Sequence, residues 1–504
     1  MIKLNFSNKM LMKILFGFII FFILTIYVLN IFSTEFIDKH VSLEKFTTHL
    51  DERISVLIED YNIPGLNIAI VQKGETVWSK AYGYADLEQG RRMTLDTHCR
   101  VESISKSVTA WGVMKLVDEG KIDLDKPIIQ YIKNWEFPES EFSKQKITSR
   151  LLLSHSAGMP LGPIGIIYST EEDKPSLREY LSQEATIEQP PGQEFYYSNI
   201  GFDLLELLIE EVTGRDFAEY MENEVLTPLG MINSSFIWDK QWDPPVPNGY
   251  DIKGNPIPVY LYPDKAAGGL FSTVEDIATF IAAGMTNFNS TEEKVLNIQS
   301  ISQLYKPMVE ISGYYKLVFD SYGLGHFIED LSNGNKAISH GGQGTGWMTH
   351  FHSVPQTGDG IVILTNSQRS WPVFAYILGD WAQWIGLSSV GMEKIILGRK
   401  ILCFLIIFLL LILSWQAYQL VKSIISGNRR FAPFLKESRF LRLVQFGLFI
   451  ILLSGFWWAI QQDYLFVSSV FPIVSTWLGF LLLLSVVILL FLILFPLTKD
   501  TLPN

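Results

Sequence analysis

The chain has 504 residues, room for one large globular unit plus membrane segments or for two to three domains, and too many for a small disulfide-stapled module. Its 40 Lys and Arg against 52 Asp and Glu leave a formal net charge of −12, which repels phosphate backbones and argues against nucleic acid as a partner. A composition 48% hydrophobic and only 18% charged is too apolar for disorder and predicts that part of the chain sits in lipid, while two cysteines, Cys99 and Cys403, are too few for a disulfide framework or a thiolate metal cage.

Residues 14–33 carry no charge, a run long enough for a helix to cross a hydrocarbon core of about 30 Å, and Lys3, Lys9 and Lys13 precede it. The run exceeds the apolar core of a signal peptide and no small-x-small cleavage site follows. Residues 1–36 therefore read as an N-terminal transmembrane anchor in preference to a signal segment. Residues 40–390 then return to globular composition. Helix-period apolar residues over 43–61 stop before Pro64, and 66–71 and 76–82 flank Lys73-Gly74 as an antiparallel hairpin. A helix is predicted over 103–119, with Val108, Trp111, Met114 and Val117 close to one face and Gly120 ending it. The middle third is helix and loop, including 147–154 and 201–213. Short strands follow at 322–328, 337–340, 348–353 and 360–365, then a helix over 371–384. Strands at both ends with helices between predict an α+β fold: one antiparallel sheet flanked by helices, with a mostly helical subdomain beside it.

Apolar runs at 401–420, 443–460 and 470–497 predict three transmembrane helices in a C-terminal region spanning 393–504. The loop between the first two carries Lys422, Arg429, Arg430, Lys436, Arg439 and Arg442 against Glu437, and such Lys/Arg excess marks the cytoplasmic side. The N-terminal lysines agree. This threading makes a multi-pass cytoplasmic-membrane protein, with the bilayer as a partner and residues 40–390 on the extracytoplasmic side.

The chemistry starts at Ser103-Ile104-Ser105-Lys106, where a helix brings residues three apart onto one face and lets the Lys106 amine reach the Ser103 hydroxyl. A serine beside a base is a potential nucleophile, although S-x-x-K also arises as a helix cap followed by a solvated lysine. Phe195-Tyr196-Tyr197-Ser198-Asn199 and Ser339-His340-Gly341-Gly342-Gln343 supply two further polar segments, the second at a predicted strand. His350-Phe351-His352 alternates on another strand as a possible metal pair. No third ligand has recognisable spacing, so surface histidines are the expectation and neither metal nor cofactor is expected. His155 is expected to brace a loop. The glycine-rich stretch 341–346 lacks the strand, lysine and helix of a phosphate cradle.

Taken in order, these three motifs resemble those of the penicillin-recognising serine hydrolases: class C β-lactamases, D-Ala-D-Ala carboxypeptidases, and their esterase and D-aminopeptidase relatives. The likeness extends over about residues 45–388 and includes Leu152-Leu153-Ser154-His155-Ser156-Ala157-Gly158-Met159-Pro160 and Ala267-Gly268-Gly269-Leu270-Phe271-Ser272-Thr273. It implies that Ser103 is the acylated nucleophile, that Lys106 helps deprotonate it, and that Tyr197 is the general base, its phenol kept acidic by neighbouring positive charge. It implies further that Asn199 bonds Lys106 or the substrate amide, and that the backbones of Ser103 and Gln343 form the oxyanion hole. His340 stands where the better-known form has lysine and would donate to Tyr197 or to a substrate carboxylate; Gly341 and Gly342 would leave space for the substrate backbone. The implied substrate is a small peptide or acyl compound, foremost a D-amino-acid-containing peptide or amide, with penicillin as a side substrate. An esterase acting on envelope polymers keeps the same site, and a β-lactam sensor is a third reading. The order of anchor, hydrolase and three spans also resembles membrane-bound peptidases that remove an acyl-D-asparagine cap from colibactin- or zwittermicin-like prodrugs. In the colibactin-type peptidases an acidic residue precedes the nucleophile by three positions, where this chain has Arg100, and their Tyr-x-Ser is Tyr197-x-Asn199 here.

Overall fold

The computed structural model describes residues 37–285, 287–288, 295–432, 439–462 and 465–497. The expected N-terminal anchor falls on residues outside these, as do Lys436 and Glu437 of the basic loop. One compact unit is Phe36–Lys394, and a second includes the chain from Ile395 onward.

Helix α1 (Leu43–Asp60) starts where the Ser42 side chain accepts a bond from the Lys45 amide, and buries Phe46, Leu50, Ile54 and Leu57 along one face. Strand β1 (Gly65–Gln72) is a continuous buried run, and a tight turn at Lys73 and Gly74, both at positive φ, returns it as β2 (Glu75–Asp86) beside β3 (Arg91–Arg92). Helix α2 (Ile104–Asp118) is buried on nearly every side, as a helix without a polar face must be. Helices α3 (Ile200–Thr213) and α4 (Val274–Ala283) follow. The remaining strands of the main sheet are β4 (Val309–Glu310), β5 (Ser321–Tyr322), β6 (Phe327–Asp330), β7 (Lys336–Gly344), β8 (Trp347–Val354) and β9 (Asp359–Thr365). Together they form a nine-stranded sheet in the order β4-β5-β6-β7-β8-β9-β1-β2-β3, antiparallel throughout.

The single strand expected at 322–328 is instead two, β5 and β6, pairing Tyr322 with Phe327 across a tight turn. Gly325 at φ +77 permits that reversal, and periodicity alone cannot distinguish a short hairpin from one strand. The expected strand at 337–340 continues through the glycines to Gly344. Helix α5 (Trp371–Trp384) coincides with its prediction and packs with α1 on one face of the sheet: Phe46 stacks on Trp384 at 4.1 Å, and Arg53 pairs with buried Asp380 at 3.0 Å. The other face receives α4, whose Phe280 meets Phe351 of β8. α2 lies between that face and the helical region around α3.

In the second unit, α6 (Lys394–Ile425), α7 (Arg439–Gln461) and α8 (Pro472–Leu494) are each long and apolar enough to cross a membrane. Trp457, Trp458 and Phe440 stand exposed on α7, apolar surface that water penalises.

Candidate active site

Ser103 precedes α2 with φ −64 and makes no capping bond, which leaves its hydroxyl free to face its neighbours. Lys106, one turn on, donates to Ser103 Oγ at 3.0 Å and to the Ala267 carbonyl at 2.7 Å. The start of α2 is fixed all round: Ser105 Oγ accepts from the Leu270 amide, Ser107 donates to the Gly325 carbonyl, and Thr109 donates to the Ala266 carbonyl. Lys106 is wholly buried, and burial pushes its ammonium down to about 8 against the opposing pull of Asp203, Asp264 and Glu102. An amine so placed is uncharged in a useful fraction of molecules near neutral pH.

Tyr197 shares a side-chain hydrogen bond with Ser103, and the Lys106 amine lies 5.2 Å from its ring centre. Its loop is clamped on both sides: the Tyr196 amide donates to the His155 carbonyl, the Ser198 amide to His155 Nδ1, and the Asn199 amide to the Leu161 carbonyl. His155 therefore braces the loop as expected, its ring 4.2 Å from that of Tyr197. The expected acidic phenol is corrected: burial raises Tyr197 above the ordinary tyrosine value, and the bond to Ser103 offsets this only in part. A phenol so raised keeps its proton near neutral pH, whereas the lowered Lys106 amine gives its proton up more readily. Of the two partners expected for Asn199, Lys106 or a substrate amide, the first is corrected. The Lys106 amine bonds Ser103 and Ala267, not the Asn199 side chain.

The third motif lies on β7, where residues 340–344 have β8 on one side and no β6 partner on the other. Alternation turns His340, Gly342 and Gly344 toward α2, while the Gln343 side chain points away and accepts from Trp371 Nε1. His340 Nδ1 lies 2.8 Å from the Gly341 carbonyl and can only donate there, so Nε2, 3.0 Å from the Tyr322 hydroxyl, accepts. The expected donation to Tyr197 or to a carboxylate is therefore corrected. Burial and the nearby Lys106 charge hold His340 far below the ordinary histidine value, and both its nitrogens are already used. The reason for Gly342 changes as well. A Cβ there would stand 2.2 Å from the Val101 carbonyl and 2.3 Å from Thr349 Oγ1, so the glycine serves the protein's own packing against the Ser103 loop. Gly342→Ala is expected to push β7 off that loop, destabilise the fold by about 1–3 kcal/mol and cost at least tenfold in acylation rate; a variant that melts and reacts like wild type refutes this.

Two features escaped sequence reasoning. Glu102 takes φ +52, a left-handed conformation that costs a residue with a side chain about 1–2 kcal/mol. Its carboxylate is buried, accepting from Arg100 Nε, Tyr260 OH and Tyr262 OH, each at 2.9 Å. Behind Lys106 lie buried Asp203 and Asp264; burial raises both, and the charge of Asp264 raises Asp203 further. No local pattern announces either cluster. His350 and His352 are not surface histidines: both are buried against α5, beside Phe374 and Trp381. Among the described residues no group of three His, Cys, Asp or Glu is placed to hold a metal ion.

A sequence model of the family described as Beta-lactamase matches residues 50–377, a stretch that contains Ser103, Lys106, Tyr197 and His340. The chain belongs to the beta-lactamase family. Protein flp of Staphylococcus aureus (strain MRSA252) is 25% identical over 338 residues, 64% of each chain, so this family member spans less than two thirds of that relative's length. Beta-lactamase-like protein 2 of Dictyostelium discoideum is 29% identical over 258 residues, 48% of this chain and 46% of the relative. Among solved structures, the octameric penicillin-binding protein homologue from Pyrococcus abyssi superposes with a TM-score of 0.58 at 25% identity, covering 72% of this chain and 81% of that one. A class C beta-lactamase superposes at 0.54 with 21% identity, 65% of this chain and 94% of that one, a likeness of fold alone. The beta-lactamase-type fold, an antiparallel sheet with helices on both faces, is thus established for this chain.

Proposed function

We propose that this beta-lactamase family member is a membrane-anchored serine hydrolase acting through an acyl-Ser103 intermediate on D-amino-acid-containing peptides or amides outside the cytoplasmic membrane. The observation that carries the reading is the 3.0 Å contact between a wholly buried amine lowered to about 8 and the Ser103 hydroxyl. Neutral Lys106 takes the Ser103 proton as Oγ bonds to the substrate carbonyl carbon, and the carbonyl electrons move to oxygen. The Ser103 and Gln343 amides hold that oxyanion. Tyr197 gives its proton to the leaving amine or alcohol as the bond to carbon breaks, and regains one from the Lys106 ammonium. Water then attacks the ester, reforms the Ser103 hydroxyl and releases the acid.

A second reading, an esterase or an amidase acting on substrates without a free carboxylate, is favoured by His340. An uncharged imidazole with both nitrogens engaged offers a substrate carboxylate neither charge nor donor. Both readings meet one test. Intact protein is incubated with a labelled penicillin, a p-nitrophenyl ester, and an acyl-D-Ala-D-Ala peptide beside its C-terminal amide. An adduct of acyl mass on the peptide containing Ser103 is expected, with kcat/KM for acid and amide within about threefold, less than 1 kcal/mol apart. An adduct on another residue sinks the mechanism, and a strong preference for the free acid sinks the second reading. Acyl-D-asparagine removal draws no support at Arg100, which is buried, paired with Glu102 and bonded to the Tyr260 carbonyl.

The lipid bilayer is the proposed partner of the three apolar helices, with Arg429 and Arg430 in the cytoplasm. In a background lacking Cys99 and Cys403, Ser426→Cys should resist an impermeant thiol reagent added to intact cells and Gln462→Cys should react; the opposite pattern inverts the topology.

A further inference from the structure

Glu102 stands between the two segments that meet at the nucleophile. On one side its carboxylate gathers Arg100, Tyr260 and Tyr262, and the Arg100 guanidinium continues to the Tyr260 and Gly268 carbonyls while lying over the Tyr260, Tyr262 and Phe271 rings. Gly268 directly follows Ala267, whose carbonyl holds Lys106. On the other side is β7. A Cβ at Gly344 would stand 2.3 Å from the carboxyl carbon of Glu102, and one at Gly342 would stand 2.8 Å from Glu102 Cβ. The left-handed backbone of Glu102 is thus held by three charge-assisted bonds and by a strand whose glycines leave room for this side chain.

We infer that Glu102 is a positioning residue for the acylation reaction: its buried carboxylate sets the separation of the Ser103 and Gln343 amides and, through Arg100, keeps the Ala267 carbonyl on Lys106. This rests on the acyl-serine reading above. The side chain touches no reacting atom. It acts as a wedge whose length and hydrogen bonds fix where two donors point, and a displacement of about 1 Å at such donors costs roughly 100-fold in rate.

The test uses full-length protein in detergent with p-nitrophenyl acetate as acyl donor and phenylboronic acid as probe, since its tetrahedral serine adduct places an oxygen where the oxyanion forms. Glu102→Gln keeps the shape but turns an acceptor into a donor among donors; Tyr262→Phe removes one bond and threatens folding far less. Expected for Glu102→Gln is a fall in kcat of about 10- to 100-fold, KM within about twofold, and boronate affinity weakened by the same factor as kcat. For Tyr262→Phe the expected loss is about 3- to 10-fold in kcat and in boronate affinity alike. Wild type acylated on Ser103 with Tyr262→Phe unchanged in both measures overturns the inference. A fall in melting temperature without any change in kcat or boronate affinity overturns it too, since that is a purely structural role. If wild-type Ser103 takes no acyl group, the serine-hydrolase reading fails and this inference with it.

Discussion

Ser103→Ala is expected to take no acyl group from any of the probes and to lower turnover on the order of 10⁴- to 10⁶-fold, the loss that follows removal of an enzyme's nucleophile. Melting should barely change. Ser103 is only partly buried, loss of its hydroxyl removes one hydrogen bond from Lys106 worth about 1 kcal/mol, and the Ala267 carbonyl still holds the amine. Intact-protein mass after incubation, read beside a thermal melt, separates lost chemistry from lost fold. Equal turnover by the variant refutes the proposed nucleophile.

Lys106→Met should cost about 10²- to 10⁴-fold in acylation rate and yet leave the protein no less stable at pH 7. The sign follows from burial. The Lys106 ammonium is lowered from 10.5 to about 8, so between those values the unfolded chain binds the proton that the folded chain releases, and stability rises with pH. Below about pH 8 the charged amine burdens the fold by about 3 kcal/mol, and above pH 10.5 that burden is gone. Methionine fills the space without the charge, at the loss of two hydrogen bonds worth about 1 kcal/mol each. Its stability relative to wild type should therefore be greatest at pH 7 and decline towards pH 10. Wild-type kcat/KM should rise about tenfold per pH unit up to about pH 8 and then level as the base becomes neutral. A flat profile from pH 6 to 9, or a variant whose relative stability grows with pH, refutes the assignment. Asp203, Asp264 and Glu102 pull the value up, and Asp203→Asn is expected to move the bend to lower pH.

Legibility followed distance along the chain. The hairpin over Lys73-Gly74, the stop at Gly120 and the exact span of α5 were readable because turn residues and apolar periodicity act within a few positions. Ser103, Lys106, Tyr197 and His340 were readable as positions, since motif order survives in a linear string. Their protonation and partners were not. His340 met Tyr322 rather than Tyr197 because the β5–β6 hairpin sets Tyr322 across Phe327 from Ser339, the neighbour of His340, and Tyr197 became a poor acid because Phe195, His155 and Tyr315, from three segments, close around it.

The order of side chains alone determined that a hydroxyl and an amine stand one helical turn apart, that strands from both ends share a sheet, and that three late helices are long and apolar enough to cross a membrane. Only the folded chain decided which groups lose their water and which partners replace it: a lowered Lys106, a neutral His340, buried His350 and His352, and Glu102 wedged between loop and strand. The division has one cause. Periodicity and turn chemistry act between near neighbours, whereas desolvation and charge pairing depend on atoms that the sequence separates by scores of residues and tertiary packing brings within 3 Å.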